Sequence, residues 1–216
     1  MEIEEYISQH IDDEGEYLHR LYRATQTQLL YGRMASGHIQ GRLLKMLVEM
    51  IRPRNILEIG TYSGYSALCM AEGLQTGGMV HTIEIFDELE DFTRPWIENS
   101  PWADRVKFYI GDAMELVPKL GILFDMVFID GNKREYVNYY NMVMQHMNPG
   151  GYILADNTLW DGHVLEQPPV GDEQTQGVME FNDLIAKDAR VEKVIVPVRD
   201  GLTMIRIKDN GKYKTE

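Results

Sequence analysis

From residue 55 onward the chain alternates short apolar runs with longer amphipathic segments. Residues 55–59, 79–85, 106–110, 124–129 and 152–155 are almost continuously apolar and bounded by Gly, Asp or Asn, the pattern of strands buried on both faces. The spacing between them predicts helices near 65–74, 87–99, 112–120 and 134–147. Such alternation implies right-handed crossovers and a mostly parallel sheet covered by helices, a doubly wound α/β domain. Two further runs, 191–197 and 202–207, are separated only by Val198-Arg199-Asp200-Gly201, which predicts a C-terminal antiparallel hairpin. Upstream, Ile3, Tyr6, Ile7 and Ile11 fall at helical spacing within an acidic stretch, and a second helix is predicted over 16–30. A third carries the stripe Ile39, Leu43, Leu44, Met46, Leu47 and Met50, with Ser36 as its cap and Pro53 as its stop. The expectation is one domain, with N-terminal helices in residues 1–52 and a Rossmann-like core in 53–216. The longest loop, 157–172, contains Gly162, Pro168, Pro169 and Gly171, and loops of that length often serve as lids.

Composition narrows the class. In 216 residues, 44% hydrophobic and 25% charged are globular values, which exclude a disordered, collagen-like or disulfide-scaffold chain. Cys69 is the single cysteine, and the acidic start Met1-Glu2-Ile3-Glu4-Glu5 lacks the basic and apolar regions of a signal peptide, so a cytoplasmic protein is expected. No apolar run approaches the roughly 18 residues that span a bilayer, so no membrane partner is expected. The net charge of -13 has the wrong sign for a phosphate-backbone binder. Seven carboxylates lie in residues 1–16, however, leaving 27 acidic against 21 basic residues, or -6, in the rest. The acidity therefore disfavours an RNA partner without removing it.

The first strand-turn-helix reads Glu58-Ile59-Gly60-Thr61-Tyr62-Ser63-Gly64-Tyr65-Ser66. Gly60 and Gly64 permit a sharp turn and close approach of a ligand. A dinucleotide fingerprint needs Gly where Tyr62 and Tyr65 stand, which argues against nicotinamide or flavin dinucleotides. Glu84 ends the second strand, where a carboxylate can accept from a ribose diol, and Glu58 can face an amine or sulfonium. Ala113, after Gly111-Asp112, is small enough to lie against an adenine. The bland alternative is a tight turn, with Glu84 as a helix-start acid. Further on, Asp130 and Lys133 follow the fourth strand, and Asp156 and Asn157 follow the fifth. Two carboxylates and an amide form a hard-oxygen set suited to Mg²⁺, Mn²⁺ or Ca²⁺. Such a cation lowers the pKa of hydroxyls it holds, and Lys133 can then accept a proton. Taken singly, Asp130 and Asp156 read rather as caps of the following turns, and Lys133 as a solvated helix-start residue; only as a set on two strand ends do they weigh evenly towards a site.

Several segments together, Met34-Ala35-Ser36-Gly37-His38-Ile39-Gln40-Gly41, the Glu58–Ser66 turn, Gly111-Asp112-Ala113, Phe128-Ile129-Asp130-Gly131-Asn132-Lys133, Asp156-Asn157 and Asp200-Gly201-Leu202-Thr203, resemble the cation-dependent O-methyltransferases. That family includes catechol and caffeoyl-CoA O-methyltransferases, and the likeness is greatest to its bacterial members. The resemblance implies the class I S-adenosylmethionine-dependent methyltransferase fold, S-adenosylmethionine as donor, a divalent cation and a homodimer. By position it implies Met34, Ser36, Glu58, Gly60, Ser66, Glu84, Ala113 and Asp130 around the donor. It likewise implies Asp130, Asp156 and Asn157 at the metal, Lys133 as general base, and Asp130 beside it in the catalytic set. Thr203 stands where catechol O-methyltransferases have a glutamate touching the second hydroxyl, and Gly131-Asn132 replaces their His-Trp pair. The acceptor implied is a small vicinal-dihydroxy aromatic. Alternatives are a tRNA hydroxyuridine, since bacterial relatives include tRNA methyltransferases, and a non-catalytic nucleotide-binding protein. Trp160, Asp161, Gly162 and His163 follow the metal set and border the acceptor or cover the sheet edge. Cys69 and the cluster Tyr136, Tyr139 and Tyr140 read as packing.

Overall fold

The computed structural model describes residues 3–166, 168 and 170–209. Met1, Glu2 and Pro169 of the segments above lie outside them. Three helices, α1 (Ile3–Ser8), α2 (Gly15–Gln28) and α3 (Gly37–Ile51), precede β1 (Asn55–Ile59). The chain continues through α4 (Tyr65–Gly73), β2 (Met79–Glu84), α5 (Glu90–Glu98), β3 (Val106–Ile110), α6 (Ala113–Leu120) and β4 (Phe124–Ile129). It ends with α7 (Tyr136–Val143), β5 (Met147–Ala155), α8 (Glu173–Lys187), β6 (Val191–Val196) and β7 (Leu202–Ile207). The seven strands form one sheet in the order β3-β2-β1-β4-β5-β7-β6. β1 to β5 are parallel, and β7 runs antiparallel to both β5 and β6.

Strand side chains alternate between two cores. Ile56, Met126, Phe128 and Leu154 point to one face, under α2, α3 and α4. Leu57, Val127, Ile129 and Ile153 point to the other, under α6, α7 and α8. Because helices cover both faces, consecutive residues are all buried and the strands read as unbroken apolar runs. Among the described residues no helix is long and apolar enough to cross a membrane.

The structure corrects several expectations. The acidic N-terminal helix shrinks to Ile3–Ser8 and buries none of its residues. Ser36 takes helical dihedrals at the start of α3, but its side chain makes no capping bond. β5 starts at Met147 rather than 152. Pro149, Gly150 and Gly151 disguise its first half, where the register with β4 shifts between Phe124 and Met126. The helix expected over 134–147 divides into a 3-10 turn, Lys133–Glu135, and α7. Ile85 lies outside β2 and is exposed. α8 is a helix that the apolar pattern does not predict. Its buried apolar stripe is only Val178, Phe181 and Ile185 in a mostly polar segment, although Asp172 caps it by accepting from Thr175 N at 3.1 Å. The loop before it makes short 3-10 turns within Trp160–Leu165, broken by a kink where Asp161 and Gly162 take positive φ, 51° and 82°.

Candidate active site

In this strand order the chain winds outward from β1 in both directions, so its reversal lies between β1 and β4. Ligands of open α/β sheets bind beyond the carboxyl ends of the strands at such a point. Here the residue after each strand stays tied to its neighbour. Gly60 N donates to Ile83 O at 3.0 Å, Asp130 N to Ile59 O at 2.9 Å, and Asp156 N to Ile129 O at 3.0 Å. These ladder-like bonds place Gly60, Asp130 and Asp156 on one fixed rim. Gly60 has φ +99°, and a Cβ there would stand 2.5 Å from the Asp130 carbonyl oxygen, so only glycine fits.

Five of the eight residues expected around a donor, Met34, Ser36, Gly60, Ser66 and Asp130, line one cleft at this rim. Glu58, Glu84 and Ala113 do not line it. Glu58 is fully buried behind the wall, where its two carboxyl oxygens accept from Ser66 Oγ and Thr82 Oγ1, both at 2.5 Å. Burial without a cation pushes its carboxyl up to about 8, against the pull of those hydroxyls. It therefore orients Ser66 from behind the cleft instead of facing it. Glu84 accepts from the backbone N–H of Tyr62 at 2.7 Å and of Phe86 at 3.1 Å, so both of its oxygens are aimed by the chain around them. Ala113 is buried at the first position of α6, which Asp112 caps by accepting from Met114 N at 2.8 Å.

The second cluster assembles around Lys133. This lysine is buried, and its Nζ donates to Asp130 Oδ1 at 2.9 Å and to the Tyr136 hydroxyl at 2.7 Å. The same hydroxyl lies within 3.1 Å of the carbonyl of Ile129 and 2.9 Å of the carbonyl of Asp156. Tyr136 thus fastens the ends of β4 and β5 and fixes Lys133 between them. Burial pushes the Asp130 carboxyl up to about 6, with Lys133 opposing the rise and Asp156 adding to it. Asp130 does not cap the next turn, because Asn132 does so by accepting from Arg134 N at 3.3 Å. Asn157 holds a left-handed conformation, φ 56°, which asparagine tolerates better than most residues. Among the described residues, no three His, Cys, Asp or Glu side chains converge as a metal cluster. A cation here would rest on Asp130, Asp156 and the Asn157 amide.

Two residues carry more than their sequence pattern shows. Tyr136 belongs to a tyrosine cluster whose spacing predicts packing, but its position three residues after Lys133 puts both on one helical turn. Arg199, in the β6–β7 turn, donates to the carbonyls of Ala35 and Ser36, a long-range contact with no sequence signature. Thr203 proves unsuited to meet an acceptor: it is fully buried, and its hydroxyl donates to Thr158 Oγ1 at 2.7 Å.

The O-methyltransferase family model matches residues 7–208. Caffeoyl-CoA O-methyltransferase 1 of Eucalyptus globulus is 32% identical over 183 residues, covering 80% of this chain and 74% of that protein. The O-methyltransferase TomG of Streptomyces achromogenes, solved in complex with SAM, superimposes with a TM-score of 0.86 at 28% identity, covering 94% of this chain and 95% of that one. An O-methyltransferase from Bacillus cereus, solved in complex with SAH, gives 0.85 at 29% identity over 94% and 96%. Sheet order, rim geometry and these likenesses agree that the chain has the class I methyltransferase fold and belongs to the O-methyltransferase family.

Proposed function

We propose that this protein transfers a methyl group from S-adenosylmethionine to one hydroxyl of a vicinal diol on a small aromatic molecule, with a divalent cation, Mg²⁺ first among candidates, at the acceptor. The carrying observation is the shared rim: Asp130 both lines the cleft and holds Lys133, so donor and acceptor meet at one carboxylate. The relatives solved with SAM and SAH support the donor. The donor set suits a hard cation, since the Asp156 carboxylate stands close enough to Asp130 to raise its carboxyl and the Asn157 amide follows it in the chain. When bound, the cation makes the hydroxyl it touches more acidic. The residues of the chain do the rest. Met34, Ser36, Gly60 and Ser66 orient the donor, Glu84 takes its ribose, and Ala113 lies beside its base. Lys133, steered by Asp130 and Tyr136, takes up the acceptor's proton at Nζ. Alignment of the two substrates supplies most of the acceleration. A cytoplasmic homodimer belongs to the same reading, supported by the single buried thiol of Cys69, as a reducing compartment permits, and by the family resemblance.

The test is methylation from labelled donor with catechols, hydroxycinnamoyl-CoA thioesters and undermodified tRNA, with and without Mg²⁺. Catechol methylation should fall at least a hundredfold with EDTA or in Asp156→Ala, and return in wild type on adding Mg²⁺. Unchanged methylation of every accepted catechol after both treatments would overturn the metal role. Product on tRNA alone would overturn the small-molecule acceptor.

A further inference from the structure

Arg199 lies in the turn between β6 and β7, at φ 49°. Its Nη1 reaches across to the start of α3, where it donates to the carbonyls of Ser36 and, at 3.4 Å, Ala35 just before the helix, and to Gln40 Oε1 in its first turn at 2.7 Å. Ala35 and Ser36 form one wall of the cleft that also includes Gly60, Ser66 and Asp130. Packing does little to hold the chain leading to this wall: Leu30, Tyr31 and Met34 expose 86%, 64% and 58% of their surface. Charge-assisted bonds from a guanidinium are strong enough to do it, typically about twice the strength of neutral ones.

The same turn grips the opposite side of the site. The Asp200 carbonyl accepts from Leu159 N at 2.9 Å, the Gly201 carbonyl from Thr158 N at 3.1 Å, and the Asp200 carboxylate from Asp161 N. These amides belong to the loop that starts at Asp156 and Asn157. One short turn therefore holds a donor wall by Arg199 and an acceptor wall by Asp200.

We propose that Arg199 is a positioning residue for the methyl donor, fixing Ala35 and Ser36 against the cleft, and that Arg199 and Asp200 together couple this wall to the acceptor-side loop. The inference rests on the function proposed above. Calorimetric titration of the full chain with S-adenosylhomocysteine in EDTA separates the two, because it needs neither cation nor acceptor. A wild type that does not bind would overturn the proposed function. With binding established, Arg199→Ala should weaken it about tenfold, the scale of losing a partly buried charge-assisted bond. Arg199→Lys should recover part of the affinity at an unchanged melting temperature. Asp200→Ala should raise the KM for acceptor more than that for donor. Wild-type affinity in both Arg199 variants would overturn the inference. So would losses in donor KM, acceptor KM and melting temperature that move together and that lysine does not rescue. If Arg199→Ala fails to fold, Arg199→Lys decides: weakened binding supports the inference and wild-type binding overturns it.

Discussion

Tyr136 packs its buried ring edge-on against Phe181, with centroids 5.5 Å apart, and phenylalanine would serve that packing equally well. The hydroxyl is there for Lys133 and for the carbonyls of Ile129 and Asp156. Tyr136→Phe should therefore cost about 1–3 kcal/mol in urea unfolding, as buried partners lose a bond. It should also lower kcat several-fold with the donor KM unchanged, and an unaltered kcat would refute its hold on Lys133. Glu58 makes a different residue-level prediction. Its folded value of about 8 lies above its ordinary 4.5, so between these pH values the folded state binds more protons than the unfolded one. Stability from this group is full below pH 4.5 and falls as pH rises towards 8. Melting temperature should decline between pH 5 and 8 in the wild type, and less steeply in Glu58→Gln, which keeps the partners of Ser66 and Thr82. Equal slopes would show that Glu58 does not govern the decline.

At the scale of elements, the turn that carries Lys133 is held by a helix that reads weakly in sequence. α8 passes so close to Lys133–Glu135 that a Cβ on Gly177 would lie 2.4 Å from the Lys133 carbonyl and 2.8 Å from the Arg134 Cα. On an exposed helix, Gly→Ala stabilises by about 1 kcal/mol. Here backbone must move, and overpacking costs about 1–3 kcal/mol. Gly177→Ala should thus be net destabilising by chemical denaturation and should reduce turnover by displacing Lys133. A stabilised, fully active variant would show that α8 does not set the turn. The same logic explains why strand ends were easier to place than helix ends. Strands end where apolar runs meet Gly60, Gly111 and Asp130, whereas α7 stops at Val143 with no Gly or Pro before Pro149 to mark its end. Tertiary contact decides that boundary.

Over the whole molecule, charge and burial are unevenly shared. α1 buries no residue, and residues 1–8 carry Glu2, Glu4 and Glu5, so their removal changes net charge from -13 to -10 while leaving both cores intact. Deleting residues 1–8 should leave unfolding free energy within about 0.5 kcal/mol of wild type, the range of surface changes. A larger loss would show that α1 contributes to stability through its contact with α3.

The sequence by itself determined the doubly wound sheet, its antiparallel C-terminal hairpin and the rim on which Gly60, Asp130, Lys133, Asp156 and Asn157 stand. Apolar periodicity and strand-end residues are local, and in a parallel sheet all strand ends share one edge. Only the tertiary structure decided that Glu58 stands behind the cleft, that Thr203 is turned inward, and that Tyr136 is joined to Lys133. It alone brought Arg199 to Ala35 and Ser36, 164 and 163 residues away. Whether a carboxylate or hydroxyl meets a ligand or the protein depends on which neighbours the fold sets within about 3 Å of it, and spacing along the chain carries no record of that.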